Sequence, residues 1–471
     1  MQRPLYIASL IVIDLLGFYF SFITAYATRL LLTHVVPSLP TLIMSAEFFL
    51  RQWWIPLVLV LVFAYEGLYS KRLIFWMEAK TVVQSVLISA VAILAIITLS
   101  KMTDEVSRLF VLLLFVYAVF LIPLCRLFFK NLLHCQNIGI EKIIVIGEGE
   151  RAVRLAKVFD SDRYMGLRVV CLLGSRLDRV SINGREVKIY KGIKWLNRLS
   201  MTLGVSTVVL TSGQEEIKGL IPVVQRAVKN IYIAPDIEGI GLLNTELIPL
   251  VEEDIPLLLV RNNLKDPINM AIKVCFDIAL AVLVLPLLLP TLVVISVLIK
   301  LDSKGPVLFT QKRVGRGGVE FRLYKFRTMY VDSDRILEQY LKTNEAARGE
   351  YEKYCKLRDD PRVTRIGRLL RKCSLDELPQ IFNILKGDMS FVGPRPAFKG
   401  EIEQYYGVLA YSYIQVKPGI TGLWQVSGRN RLTMKERARL ESFYVTNWSL
   451  WLDIVIILKT VKVVLKTEGA Y

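Results

Sequence analysis

Histidine is nearly absent from this chain of 471 residues; only His34 and His134 occur, and both border apolar runs. A histidine base or a histidine-rich metal centre is therefore a poor basis for its chemistry. The six cysteines (Cys125, Cys135, Cys171, Cys275, Cys355 and Cys373) are scattered, without one CxxC pair. That spacing argues against a zinc site and a disulfide framework, and for free thiols in a reducing compartment. Acidic residues are also short, 42 Asp and Glu against 60 Lys and Arg, giving a formal charge of +18. Apolar residues are abundant, at 53% of the chain, with a mean hydropathy of +0.44. Nucleic-acid binding would account for the charge but not for the apolar content. A membrane protein with a large cytoplasmic face accounts for both.

Four apolar stretches open the chain, at about 5–28, 53–69, 82–100 and 109–125, each near the ~20 residues that cross a bilayer as a helix. The first is too long for a signal-peptide core. Asp14 within it reads either as a functional intramembrane acid or as a helix-contact residue, and the second reading is favoured. Arg3, Lys71, Arg72, Lys80, Arg126 and Lys130 border the stretches on one side, which predicts cytoplasmic ends for the bundle. A fifth apolar stretch, Ile278 to Ile299, carries Pro286 and Pro290 in its middle. Each proline removes a helical hydrogen bond, so a sharp bend is expected, with a re-entrant hairpin favoured over a straight span.

Between Glu141 and about Asn263, strand-like runs alternate with amphipathic segments, predicting an α/β layer with a largely parallel sheet. The runs are 143–147, 167–173, 206–211, 231–234 and 255–261. The first ends in Gly147-Glu148-Gly149-Glu150-Arg151-Ala152, a G-x-G-x-x-A pattern between a strand and a helix, as in Rossmann-like dinucleotide sites. Glu148 and Glu150 stand where a pyrophosphate would sit, and no ribose-binding acid follows the second strand. A fold remnant is favoured over a working nucleotide site, with a regulatory ligand as the alternative. Tyr190 and Lys194 mimic a dehydrogenase pair, but Gly192 between them predicts a loop.

Beyond Lys300 the chain is dense in cations, with seventeen Lys and Arg against ten Asp and Glu from 301 to 371. Residues 306–329 read as two strands around a Gly-rich turn, the second ending in Lys325 and Arg327. Ser374 and Glu377 have the spacing of a helix capping box, which would put Asp376 and Glu377 in a first helical turn. Arg371 precedes them, and Gly393-Pro394-Arg395-Pro396 follows as a rigid turn with one projecting guanidinium. A carboxylate among arginines is expected to have a lowered pKa and to stay ionised. Such a carboxylate is a nucleophile suited to phosphorus, provided that cations neutralise the diphosphate it attacks. Trp424, Gln425 and Arg429 read as nucleotide-pocket candidates, and Trp448, Trp451 and Leu452 as interfacial residues near Asp453.

The motifs FTQKRVG (309–315), YKFRTM (324–329), LRKCSLDELPQIFNILKGDMSFVGPRP (370–396), KPGITGLWQVSGRN (417–430) and WLDIVIILKTVKVVL (451–465) occur in this order. From about Ala271 to Tyr471 the sequence resembles the polyprenyl-phosphate hexose-1-phosphate transferases of bacteria, most of all those that use galactose. The resemblance implies a nucleophile at Asp376 that also binds Mg²⁺, with Glu377 as its companion. It further implies phosphate contacts at Arg371 and Arg395, a substrate-site lysine at Lys325 and a helix-breaking proline at Pro290. Arg327 and Arg429 join the substrate-binding candidates, and Pro286 the kink. Serine often precedes the proline of the family, where Leu289 stands here.

The architecture so implied is membrane α plus α/β. A four-helix transmembrane bundle (1–135) precedes a Rossmann-like cytoplasmic domain (136–265) and a re-entrant-helix monotopic α+β catalytic domain (266–471). The implied reaction passes hexose 1-phosphate from a UDP-hexose to undecaprenyl phosphate through an aspartyl intermediate. UMP is released, and O-antigen, capsule or exopolysaccharide synthesis begins at the bacterial inner membrane. Galactose is the first expectation and glucose the alternative. The partners expected are these two substrates, the lipid bilayer and a second copy in a homodimer, with no nucleic acid. A membrane-anchored NAD-dependent epimerase or dehydratase is the distant alternative.

Overall fold

The structure, a computed structural model, describes residues 2–36, 51–100, 107–174, 179–211, 214–234, 245–250, 255–260, 263–354, 357, 360–428 and 432–465. The chain divides into two compact units, Met1–Ile237 and Glu238–Tyr471.

The first unit begins with helices α1 (Gln2–Val35), α2 (Trp54–Tyr65), α3 (Phe75–Leu99) and α4 (Arg108–Cys135). α1, α3 and α4 are long and apolar enough to cross a membrane. α2 has 12 residues and reaches only about 18 Å. Its apolar run extends to 69, but the helix ends before Gly67, which takes a left-handed φ of 77°. Phe18, Phe22, Leu59, Phe63, Phe110 and Leu114 fill the space between the helices. Val91, Phe120 and Leu61 face outward, as lipid-facing residues do.

Asp14 is a helix-contact residue. Its two carboxylate oxygens accept from Arg126 Nε at 2.6 Å and Nη2 at 2.7 Å, and Tyr69 donates to it at 2.9 Å. Glu78 accepts from Arg126 Nη1 at 2.7 Å and from Lys130 Nζ at 2.6 Å. Arg126 and Lys130 thus lie within α4, buried and paired, rather than following a span as free cations. They drop out of the charge asymmetry that suggested an orientation.

The sheet of this unit has the order β3-β4-β2-β1-β5-β6. β1 (Glu141–Ile146), β2 (Leu167–Gly174), β5 (Thr207–Leu210) and β6 (Asn230–Ile233) are the expected parallel strands. β3 (Arg179–Ile182) and β4 (Arg185–Lys191) were not expected; the shortness of β3 and the charged side chains of β4 mask a hairpin whose second strand pairs parallel with β2. Tyr190 therefore lies in a strand rather than a loop. Helices α5 (Gly149–Ser161), α6 (Leu196–Leu203) and α7 (Gln214–Ala227) connect the strands. The run at 255–261 does not join this sheet. β8 (Ile255–Val260) pairs antiparallel with β7 (Thr245–Leu250) in a separate ribbon of the second unit.

In the second unit, α8 runs from Pro267 to Asp302 with Pro286 and Pro290 inside it. Asp266 caps its start by accepting from Ile268 N at 2.9 Å. Both halves of α8 pack on the same α+β body. Ala281 sits with Leu323, Ile381 and Met389, while Leu292, Ile295 and Ile299 sit with Phe326 and Leu370. Val282, Leu283, Leu287, Val293 and Val294 remain exposed on its other side. The body contains the expected hairpin of β9 (Leu308–Val314) and β10 (Glu320–Phe326). Next come α9 (Ser333–Thr343), α10 (Glu345–Tyr354) and α11 (Arg365–Lys372). A 3-10 turn at Leu375–Gln380 leads into α12 (Ile381–Lys386). The short strands β11 (Ser390–Val392) and β12 (Gly419–Thr421) pair in parallel around α13 (Lys399–Tyr405) and α14 (Ala410–Ile414). Helices α15 (Leu423–Ser427), α16 (Met434–Thr446) and α17 (Leu450–Leu465) close the unit.

Candidate active site

Three elements converge in the second unit. Lys325 stands one residue before the end of β10, the 3-10 turn carries Asp376 and Glu377, and the turn after β11 carries Arg395. Lys325 Nζ lies 2.8 Å from Glu377 Oε1 and 3.9 Å from Asp376 Oδ2. Arg395 Nη2 reaches Glu377 Oε1 at 3.6 Å. Two carboxylates and two cations thus meet on the protein surface, half-buried. Arg371 acts on Asp376 through its charge, while its Nε donates to Thr328 Oγ1 at 2.9 Å.

Ser374 is not a helix cap. It takes a left-handed φ of 56°, makes no side-chain capping bond, and its N–H bonds to Arg371 O at 3.2 Å. It is the left-handed residue that ends α11, a position more often filled by glycine. The expected lowering of the Asp376 pKa also needs correction. Burial pushes its carboxyl up; Lys325 pulls it down, the neighbouring Glu377 raises it further, and Arg371 lowers it, with a net upward shift. Charge counting along the sequence sees the cations but not the lost water.

Arg327 is drawn away from this cluster. Its Nη1 donates to Lys304 O at 2.7 Å and its Nη2 to Ser303 O at 2.7 Å, so it clasps the chain leaving α8. Gly305 is needed beneath it, because a Cβ there would lie 1.8 Å from Arg327 Nη1. Arg429 lies outside the described residues. Trp424 stands with its ring 5.9 Å from the Arg395 guanidinium and 5.0 Å from that of Arg437. Gln425 bonds to Ile420 O at 3.1 Å.

Asp453 and Trp448 are buried anchors, so Trp448 is not the interfacial residue expected. Asp453 accepts from Lys273 Nζ at 2.7 Å, Tyr444 OH at 2.7 Å and Trp448 Nε1 at 3.1 Å, which ties α17 to α8. Asp277 on α8 accepts from Phe391 N at 3.1 Å, so α8 also holds the strand that leads to Arg395. Sequence reasoning missed Thr328, Tyr406, Tyr413 and Glu441 around the site. Only Glu441 left a signal, its i,i+4 spacing from Arg437.

Among the described residues no group of three or more His, Cys, Asp or Glu could hold a metal. A divalent cation at this site would rest on Asp376 and Glu377, with phosphate and water oxygens completing its shell. That sparse protein contribution suits Mg²⁺, which keeps several waters and binds through one or two carboxylates.

In the first unit, Gly147, Glu148 and Gly149 line a cleft of about 610 Å³ with Arg154, Lys157 and Ile189. Gly174 passes close by; a Cβ there would lie 2.8 Å from Gly147 O. Residues 175–178, where a ribose-binding acid would be sought, lie outside the described residues. Lys194 stands on a single 3-10 turn, and Tyr190 packs with its ring 5.8 Å from that of Trp195.

With this geometry in view, the profile of the family described as bacterial sugar transferase matches residues 268–467, which hold every member of the cluster. A UDP-galactose-lipid carrier transferase of Erwinia amylovora is 36% identical over 405 residues, 86% of this chain and 84% of the relative. The chain belongs to the bacterial sugar transferase family. An undecaprenyl-phosphate galactose phosphotransferase of Salmonella typhimurium is 36% identical over 404 residues, again 86% of this chain and 84% of the relative. A UDP-glucose:undecaprenyl-phosphate glucose-1-phosphate transferase of Xanthomonas campestris pv. campestris is 33% identical over 367 residues, covering 73% and 70%. As a sugar transferase with four long apolar helices among its described residues, the chain is membrane-associated.

Proposed function

We propose that this sugar transferase moves hexose 1-phosphate from a UDP-hexose to undecaprenyl phosphate, with galactose as the hexose, at the start of a surface polysaccharide. The observation that carries the reading is the convergence of Asp376, Glu377, Lys325 and Arg395 on a body against which both halves of one apolar helix pack. The two galactose-named relatives cover more of the chain than the glucose-named one, which supports galactose.

The chemistry balances in two steps. A carboxylate oxygen of Asp376 attacks the phosphorus that bears the sugar, and the bond from that phosphorus to the UMP oxygen breaks. UMP leaves, and an aspartyl phosphosugar remains. A phosphate oxygen of the polyprenol then attacks the same phosphorus. The acyl phosphate bond breaks, Asp376 is restored and the lipid diphosphate sugar departs. Lys325, Arg371 and Arg395 provide the positive charge against which an anion can approach a diphosphate. Mg²⁺, held by Asp376 with Glu377 beside it, would supply further neutralisation of the diphosphate.

The placement of the site follows from α8. Packing of both its halves on one body supports a re-entrant helix whose two flanks share the cytoplasmic side of the inner membrane. Its exposed Val282, Leu283 and Leu287 then enter the lipid. A carboxylate held at headgroup depth meets both a soluble nucleotide and a lipid phosphate. The parallel strand order and glycine turn of the first unit support a Rossmann-like domain between the bundle and the catalytic body.

The full-length protein in lipid nanodiscs, given undecaprenyl phosphate and a panel of UDP-sugars, tests the reading. UDP-galactose is expected to release UMP fastest, and Asp376→Asn to lower that rate by about a thousandfold or more. Equal rates with UDP-glucose would remove the galactose assignment, and unchanged turnover in Asp376→Asn would remove the nucleophile.

A further inference from the structure

The turn that carries Arg395 is held far more tightly than its surface position requires. Pro394 and Pro396 fix their own φ, and Pro396 biases Arg395 toward an extended backbone. Gly393 N–H donates to Thr421 O at 2.9 Å, and Pro394 O accepts from Gly419 N at 2.8 Å. Only glycine fits at this crossing, since a Cβ on Gly393 would lie 2.5 Å from Lys417 O and one on Gly419 would lie 2.1 Å from Gly393 N. The peptide groups of Arg395 itself are both taken by buried side chains. Its N–H donates to Glu441 Oε1 at 3.0 Å, and its carbonyl accepts from the Tyr413 hydroxyl at 3.1 Å. The same hydroxyl accepts from Ala397 N at 2.9 Å, one step further along the turn.

Glu441 is only 2% exposed, so its charge must be satisfied locally. Arg437 Nε donates to Oε1 at 3.1 Å, and the Tyr406 hydroxyl donates to Oε2. Arg437 in turn bonds Glu401 at 3.1 Å, which anchors the group to α13. Tyr406 and Tyr413 meet edge to face, 5.4 Å between ring centres. This buried network takes both peptide groups of Arg395 and the N–H of Ala397, and the Tyr413 hydroxyl also lies 3.2 Å from Val314 O at the end of β9. The side chain of Arg395 is left 39% exposed and pointed at Glu377.

We infer that Tyr413 and Glu441 are positioning residues. By fixing both peptide groups of Arg395, they hold its guanidinium at the Asp376–Glu377 pair, where it receives the donor's diphosphate. The inference rests on the site proposed above and adds what makes its arginine rigid before substrate arrives. A flexible arginine would have to be ordered by the substrate; one aimed in advance lowers the donor's KM.

Tyr413→Phe is the sharpest probe, because it deletes only the hydroxyl and keeps the ring. UMP release is measured for the full-length protein in nanodiscs as wild type, Tyr413→Phe, Arg395→Ala and the double variant. The expected result is a rise of about tenfold in the UDP-sugar KM for Tyr413→Phe, with a smaller change in kcat. The same substitution should have no further effect once Arg395 is Ala, because the route through which it acts is gone. Glu441→Gln, which keeps an acceptor for Arg395 N–H, should retain more activity than Glu441→Ala. A purely structural role would instead lower the thermal midpoint in both backgrounds and leave KM alone. Equal losses from Tyr413→Phe with and without Arg395, or an unchanged KM, would overturn the inference while sparing the site. Full turnover in Arg395→Ala would overturn both.

Discussion

At the scale of single residues, motif spacing made the members of the cluster legible but not their setting. Asp376, Glu377, Lys325 and Arg395 were readable because each lies in a motif, and the structure brings all four together. Arg327 was read as a substrate contact on its position beside Lys325, yet it faces the end of α8. Ser374 was misread because an S-x-x-E pattern caps a helix only when the serine is extended; here it ends the helix before it. This makes a testable difference. With a left-handed serine, Ser374→Gly should unfold at least as late as wild type, because glycine removes a strain of about 1 kcal/mol. A loss of about 1 kcal/mol in Ser374→Ala, seen in the thermal midpoint, would point instead to a lost cap bond.

Elements were legible where hydrophobic period decides them. The long helices and the β9–β10 hairpin follow their apolar patterns, whereas β3 is only four residues long and β4 carries too many charges to stand out. The run at 255–261 has the composition of a buried strand, but composition does not choose a partner strand. Between α10 and α11 the element that steadies the site is the turn at Asp360. Its carboxylate takes Arg362 Nε at 2.8 Å and Nη2 at 2.7 Å, while Arg362 O accepts from Tyr330 N at 3.0 Å, close to Thr328. Burial alone would push the Asp360 carboxyl up, but the Arg362 hydrogen bonds and charge hold it below the ordinary carboxylate range. Its stabilisation is therefore full above the unfolded carboxylate pKa of about 3.9 and is lost as pH falls through the lower native value. Thermal midpoints of wild type and Asp360→Asn should differ by a constant amount from about pH 7 to 5 and converge below about pH 4. A gap that persists unchanged into that acid range would contradict the assignment.

At the scale of the whole molecule, apolar content and charge revealed a membrane protein, and four of the five apolar stretches lie in helices long enough to cross a membrane, the second being the exception. α2 is short, and α8 is long. The first unit joins its helices to its sheet through buried charge that hydropathy cannot display. Lys130 lies 4.1 Å from the Tyr164 ring centre, and Arg72 donates to Gly139 O at 2.7 Å. Arg126→Ala would strand Asp14 and Glu78 without their shared cation, at a cost of about 3–5 kcal/mol. A thermal midpoint in detergent within a degree of wild type would show that the network is dispensable. The catalytic body is expected to fold around α8 regardless, since Lys273 and Asp277 fasten that helix within the second unit.

The covalent step is the centre of the account, and the most direct measurement of it omits the lipid acceptor. Full-length protein is mixed with Mg²⁺ and UDP-galactose alone, and UMP is counted against enzyme while the intact mass of the protein is followed. A burst of about one UMP per active site, with a phosphosugar mass gained by wild type and absent from Asp376→Asn, is the predicted result. UMP that appears only after undecaprenyl phosphate is added, with no change in protein mass, would contradict it.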